Sequence, residues 1–226
     1  MTHSPRMPAA YRTLYLDLDD TLYPQDSGVW EAISSRILGF MVERLSFSEA
    51  RAQAVRKEYV ERYGTTLKGL MLDHAVDPHE YMLFVHAVPI RRMIRRDRQL
   101  SRMLKALPQA KWVLTNADRA HAGRVLEALG IDSGLDGVID FFDLAPHSKP
   151  ETEAYLRAMQ IARAPSAAQC VLVDDQPRNL ASAQRLGMTV VQVGDAGERA
   201  PGTCSIARIT QLPECLPGLQ QTWREG

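Results

Sequence analysis

A Rossmann-like α/β fold, with a parallel sheet flanked by helices and an inserted helical cap, is what three features of this 226-residue sequence predict. Short apolar runs alternate with helical patterns from Ala110 to Val193, which is how a parallel sheet with covering helices reads in sequence. One further apolar run, Thr13 to Asp17, stands alone near the start. Between the two, from Gly28 to Met103, apolar residues recur at helical spacing only. The α/β core is accordingly assigned to residues 1–24 and 105–226, and the helical cap to residues 25–104.

The first strand is expected over Thr13 to Asp17 from its alternation, with Asp19, Asp20 and Thr21 marking the turn that follows. Trp30, Ile33, Ile37, Leu38, Met41 and Leu45 then trace the apolar face of an amphipathic helix. Ser48, with Glu49 in the first turn, starts a second helix that ends at Tyr63, before Gly64. Further helices are expected at Thr66 to Asp73, Pro78 to Val85 and Leu100 to Leu107. Arg91, Arg92, Arg95 and Arg96 recur at helical spacing and are expected to form one solvated basic face. Lys111 to Thr115 returns to strand and Ala117 to Leu129 to helix. A strand at Gly137 to Asp140, a helix at Glu151 to Ile161 and a strand at Cys170 to Asp174 come next. A helix from Pro177 to Leu186 and a strand from Thr189 to Val193 complete the alternation, and the Pro- and Gly-rich tail from Ala200 predicts loops and a short last element.

Composition excludes several classes. An apolar content of 45% and a charged content of 24% are those of an ordinary globular chain and argue against disorder. The formal net charge of zero gives no electrostatic reason to expect a nucleic-acid partner. No apolar run approaches the roughly 18 residues needed to span a bilayer. The N-terminal Met-Thr-His-Ser-Pro-Arg-Met-Pro is polar and unlike a secretory signal, so a cytoplasmic protein without a membrane partner, monomer or homodimer, is expected. Cys170, Cys204 and Cys215 show no CxxC spacing and suit a reducing compartment rather than a disulfide framework or a zinc site.

The chemistry sits at the strand ends. Asp17, Asp19 and Asp20 crowd the end of an apolar run, and clustered carboxylates raise one another's pKa unless a cation neutralises them. A hard divalent ion such as Mg²⁺ is the natural occupant. Thr115-Asn116, Lys149 before Pro150, and Asp174-Asp175 decorate later strand ends or loops in the same way. In a parallel sheet the carboxyl ends lie along one edge, so these residues can converge. Taken singly, Asp17-Leu-Asp19-Asp20-Thr21 reads as an Asp-rich turn, Thr115-Asn116 as a helix cap and Lys149 as a surface lysine. Taken together they supply what phosphoryl transfer needs: Asp17 to attack phosphorus, Asp19 to carry the proton, Thr115, Asn116 and Lys149 to hold phosphate oxygens, and a metal between Asp17 and the Asp174-Asp175 pair. In the cap, Tyr63, Thr65, Thr66 and His86 are candidate contacts to the rest of the substrate, although each also reads as a packing or capping residue.

The order Asp-x-Asp-x-Thr, Thr-Asn, Lys-Pro and Asp-Asp resembles the four motifs of the haloacid dehalogenase superfamily of phosphatases over nearly the whole chain. That resemblance implies Asp17 as nucleophile, Asp19 as acid-base and, through its carbonyl, a further metal contact, so that Asp17, Asp19, Asp174 and Asp175 form the expected Mg²⁺ site. More narrowly, Asp-Asp-Thr-Leu-Tyr-Pro, Tyr63-Gly-Thr-Thr-Leu-Lys-Gly-Leu, Phe84-Val-His86, Thr115-Asn-Ala-Asp-Arg-Ala-His121 and Val173-Asp-Asp-Gln-Pro-Arg-Asn179 are similar to the pyrimidine 5′-nucleotidase branch. This implies a small-molecule phosphate substrate of the UMP or CMP type. The stretch after His86 and Gln176 after the Asp pair depart from the pattern of that branch. The same mechanism on a sugar phosphate or phosphoglycolate is the alternative. A phospho-accepting signalling domain, which also uses Asp, Thr, Lys and Mg²⁺, would place its acidic pair first in the chain, the reverse of the order here.

Overall fold

The computed structural model describes residues 11–131, 133–194 and 203–219. The expectations for the first eight residues, for Ala200 and Pro201, and for the last residues of the tail lie outside them. A six-stranded, wholly parallel sheet has the order β3-β2-β1-β4-β5-β6, formed by β1 (Thr13–Leu16), β2 (Ala110–Leu114), β3 (Gly137–Ile139), β4 (Cys170–Asp174), β5 (Thr189–Val193) and β6 (Cys204–Ile206). The two central strands β1 and β4 are buried at every position, which is why they read as unbroken apolar runs. Alternation along β1 divides the core in two. Leu14 and Leu16 enter a cluster shared with the inserted helices, and Tyr15 enters one under the later helices.

Between β1 and β2 come α1 (Val29–Leu45), α2 (Glu49–Tyr63), α3 (Thr66–His74), α4 (Pro78–Val85), α5 (Ile90–Met93) and α6 (Arg98–Ala106). Their starts are written in side chains: Ser48, Thr65, Asp77 and Asp97 each accept the backbone N–H three residues on. α7 (Arg119–Leu129), capped in the same way by Asp118, follows β2; α8 (Phe141–Leu144) and α9 (Thr152–Ile161) follow β3; α10 (Pro177–Arg185) joins β4 to β5, and α11 (Leu212–Cys215) is followed by a last 3-10 turn at Pro217–Leu219. Among the described residues no helix is long and apolar enough to cross a membrane.

Three expectations need correcting. Trp30 does not belong to the buried face of α1, which is Val29, Ile33, Ile37, Phe40 and Met41; it is 42% exposed. The four arginines do not share a helix face, because α5 stops at Met93 and Ile94 turns extended and buried. The chain then docks on the end of α7, where Asp97 N–H donates to the Leu129 carbonyl, so tertiary contact overrides the helical spacing. Finally, Cys204 and Cys215 are joined as a disulfide with Cα atoms 6.2 Å apart, since β6 and α11 fold back on each other; Cys170 alone is free. Cysteine spacing carries no information about that return of the chain.

Candidate active site

Strand order reverses between β1 and β4, and ligands of open α/β sheets bind beyond the carboxyl ends of strands at such a point. Register does the rest: Leu16 pairs with Val173, so the next residues, Asp17 and Asp174, emerge side by side, and Asp17 N–H donates to the Val173 carbonyl at 2.8 Å. A cavity of about 530 Å³ opens above them and is lined by Asp17, Asp19, Asp20, Thr115, Asn116, Lys149 and Asp175 on the strand side. Trp30, Ile33, Ile37, Gln53, Arg56, Lys57, Tyr81 and Met82 line it from the inserted helices.

Lys149 is the cation of the floor. It is 2% exposed, and its Nζ donates to Asp17 Oδ1 at 2.6 Å and to Asp174 Oδ2 at 2.8 Å. Burial alone would lower its pKa, but Asp17 and Asp174 raise it well above the usual lysine value. Asp174 also accepts Asn179 Nδ2 and the Gln176 backbone N–H, each at 2.9 Å. Burial pushes Asp17 well above the carboxylate range; Lys149 opposes this, and Asp174 and Asp175 add to it.

One oxygen from each of Asp17, Asp174 and Asp175 lies within 4.8 Å of the others. The set is all oxygen and holds more negative charge than Lys149 can balance, so it fits a hard divalent cation such as Mg²⁺. Asp19 does not add its carboxylate to this set. It turns to the side, where Oδ1 accepts the Tyr23 hydroxyl at 2.6 Å and His121 Nε2 at 2.8 Å. Burial would raise Asp19, yet His121 and Tyr23 bring it down to about 2. Asp20 takes a left-handed φ of 58°, and burial together with Asp175 and Asp19 pushes its carboxyl up to about 7.

Asp175 makes the charge argument testable. Burial and Asp174 push its carboxyl up to about 6 from an ordinary value of 3.8. Because the folded value lies above the unfolded one, its contribution to stability is present below pH 3.8 and lost as pH rises through about 6. A cation must displace this proton and any held by Asp17, so Mg²⁺ affinity is expected to tighten by at least about fivefold from pH 5 to 6. Titration calorimetry with Mg²⁺ across that range checks this; an affinity that does not change with pH would contradict it.

The phosphate-binding expectations divide. Thr115 is buried at the cavity with its Oγ1 accepting Ala117 N–H at 3.0 Å. Asn116 lines the cavity, but its side-chain amide is committed to the main chain of Lys149, accepting its N–H and donating to its carbonyl, both at 2.9 Å. It therefore acts here as a clamp on the loop that carries Lys149. Gly64, with φ of 84°, packs on that loop so closely that a Cβ would stand 2.7 Å from Pro150 Cδ. Lys68 pairs with Glu151, and Arg178 donates to the Val60 carbonyl, so inserted helices and core meet at one rim.

The other expected substrate contacts are less uniform. Thr65 and Thr66 line the cavity, with Thr65 capping α3. Tyr63 is not part of the lining; its ring packs edge-on against Tyr59. His86 reaches the wall, but its Nδ1 is bound to Asp118 Oδ2 at 2.6 Å. Sequence reasoning missed Tyr23, Asp118, His121 and Asn179 as site residues. The available signal was position: Tyr23, His121 and Asn179 follow Asp19, Asn116 and Asp174 by four or five residues.

Comparison with known proteins places this geometry. A family model described as haloacid dehalogenase-like hydrolase matches residues 11–187. The chain is 26% identical over 201 residues to phosphate metabolism protein 8 of Saccharomyces cerevisiae, covering 81% of this chain and 63% of that protein, so it spans less than two thirds of its relative's length. Among solved structures, the magnesium-bound HAD-hydrolase YfnB of Bacillus subtilis superposes with a TM-score of 0.61 at 16% identity, covering 92% of this chain and 99% of that one. L-2-haloacid dehalogenase from Xanthobacter autotrophicus, solved with chloropropionic acid covalently bound, superposes with a TM-score of 0.59 at 15% identity over the same shares. At such identities the structures speak for the fold alone.

Proposed function

Because this chain belongs to the haloacid dehalogenase-like hydrolases, whose family model spans residues 11–187, we propose that it is a Mg²⁺-dependent phosphomonoesterase working through an aspartyl phosphate on Asp17. The carrying observation is that two Asp side chains on one cavity stand in opposite surroundings. Asp17 lies among carboxylates and Lys149, whereas Asp19 is held apart by Tyr23 and His121. Separate surroundings permit separate roles, one carboxylate to attack and one to move a proton. A carbon–halogen bond needs no proton on its leaving group, so the preserved Asp19 favours an ester over a haloacid as substrate.

In this reading, Asp17 attacks phosphorus in line as the bond to the ester oxygen breaks, and Asp19 protonates that oxygen. The negative charge of an arriving phosphate raises the proton affinity of Asp19. Asp19 then takes a proton from water, which attacks the aspartyl phosphate, releasing phosphate and restoring Asp17. Asp17, Asp174, Asp175 and the Asp19 carbonyl are the residues proposed to hold Mg²⁺, which would neutralise phosphate charge when bound. Support for the metal comes from the all-oxygen donor set here. Lys149 supplies fixed positive charge, and Thr115 with the backbone of Asn116 faces the phosphate oxygens.

The finer proposal is a pyrimidine nucleoside 5′-monophosphate, on the strength of the motif resemblance and of a cavity large enough for a ligand of that size. In it, residues 25–104 act as the cap, and Thr65 and Thr66 face the nucleoside. A second reading has its own observation: Arg56 and Lys57 line the cavity and would suit a substrate with a second anionic group, such as phosphoglycolate. Phosphate release from UMP, CMP, AMP, a sugar phosphate and phosphoglycolate decides between them. UMP or CMP is expected to exceed the others in kcat/KM by at least about tenfold, and chelation of Mg²⁺ to suppress turnover. Release from phosphoglycolate alone would support the second reading, and halide release from 2-chloropropionate without phosphatase activity would refute both.

A further inference from the structure

The two oxygens of the Asp19 carboxylate stand in different surroundings. Oδ1 accepts both the Tyr23 hydroxyl at 2.6 Å and His121 Nε2 at 2.8 Å. Oδ2 has no donor among the described residues, and Asp19 lines the cavity. A carboxylate only accepts, so Nε2 of His121 carries a hydrogen. The imidazole is fully buried and is gripped from behind: the His86 ring stacks on it at 4.3 Å and 17°. Asp118 holds both members of the stack, accepting the His121 backbone N–H on Oδ1 at 2.8 Å and binding His86 Nδ1 with Oδ2 at 2.6 Å. The stack therefore holds the His121 donor on Oδ1, beside the hydroxyl of the buried Tyr23.

We propose that Tyr23 and His121 are positioning residues that occupy Oδ1 of Asp19 and so reserve Oδ2 for the leaving oxygen of the substrate. The inference rests on the phosphatase reading above. With two donors on Oδ1, the proton of the carboxylic acid has to sit on Oδ2. It passes to the ester oxygen as the P–O bond breaks, the bond pair staying on that oxygen, while a new bond forms between phosphorus and Asp17. A carboxylate free to rotate would present the wrong oxygen for part of the time, and misplacement of a reacting group by about 1 Å can cost on the order of 10²-fold.

The test is leaving-group dependence, because a merely structural defect would slow all esters alike. Tyr23→Phe and His121→Leu are each compared with wild type on a nucleoside 5′-monophosphate, whose alkoxide leaving group needs a proton, and on p-nitrophenyl phosphate, whose phenolate does not. The loss in kcat is expected to be at least about tenfold greater on the alkyl ester. His121→Gln, whose amide can still donate to Oδ1, is expected to recover most of the lost kcat. Equal losses on the two esters, in Tyr23→Phe alone if His121→Leu does not fold, would overturn the inference while leaving the phosphatase reading intact. Failure of the wild-type protein with Mg²⁺ to release phosphate from these two esters and from the sugar phosphate and phosphoglycolate would overturn that reading itself, and the inference with it.

Discussion

Asp17→Asn is expected to lower turnover of the preferred phosphate ester by at least about 10⁵-fold without loss of the fold, since in the proposed mechanism it removes the nucleophile and with it most of the catalysis that the other groups support. Asn keeps the shape of the side chain and still offers an oxygen to Lys149 Nζ, which stands 2.6 Å from Asp17 Oδ1. It also removes a charge whose burial is unfavourable, as the upward displacement of the Asp17 pKa by burial and by Asp174 and Asp175 records. The thermal midpoint of Asp17→Asn is therefore expected to equal or exceed that of wild type, with activity and stability moving in opposite directions, as they do where an active site is held in an unfavourable state. Measurement is by phosphate release together with thermal melting in chelator. Appreciable turnover by a verified Asn protein would refute the covalent role of Asp17.

Lys149→Met is expected to damage both properties. The ammonium is buried between Asp17 and Asp174, and Asp175 stands beside them, so its loss leaves a set of buried carboxylates without a counter-charge. Removing one partner of a buried ion pair costs about 3–5 kcal/mol, which in a chain of this size is a fall of roughly 10 °C in the thermal midpoint. Turnover is expected to drop by at least about 100-fold, the scale on which fixed charge near a developing anion acts. Two further results identify the cause. Mg²⁺ should restore part of the lost stability, because a cation bound to the folded state alone stabilises by mass action. Adding Asp17→Asn to Lys149→Met should also leave the protein more stable than the sum of the two single effects predicts, since the pair interacts directly. Additive effects would mean that Lys149 is held for packing rather than charge.

Much of this was written locally. Runs rich in β-branched and apolar residues gave away β4 and β5 to the residue because strands covered on both faces are built mostly from such side chains. α4 was equally plain, since Asp77 and Pro78 start it and Tyr81, Met82 and Val85 give it a buried face. What the pattern could not give were the elements that tertiary contact makes or breaks. α5 ends where Ile94 is pulled inward, and α8 is a single turn held by the reciprocal bonds of Asp140 and Asp143. The disulfide between Cys204 and Cys215 depends on how β6 and α11 fold back, which no count of cysteines reveals.

The site divides along the same line. The residue types that phosphoryl transfer requires, and their order along the chain, were readable in the sequence because Asp17, Thr115 and Asp174 sit at strand ends that a parallel sheet carries to one edge, whereas Lys149 reaches them from the loop between α8 and α9. Which groups act on which was decided only in three dimensions. Asn116 turned out to clamp Lys149, Tyr63 stands outside the cavity, and the carboxylate of Asp19 left the acidic cluster for Tyr23 and His121. The physical reason is range: backbone pattern sets where a Cα goes, while the direction of a side chain is chosen by partners far away in the chain. Asp19 and His121 are separated by 102 positions in sequence and by 2.8 Å in space.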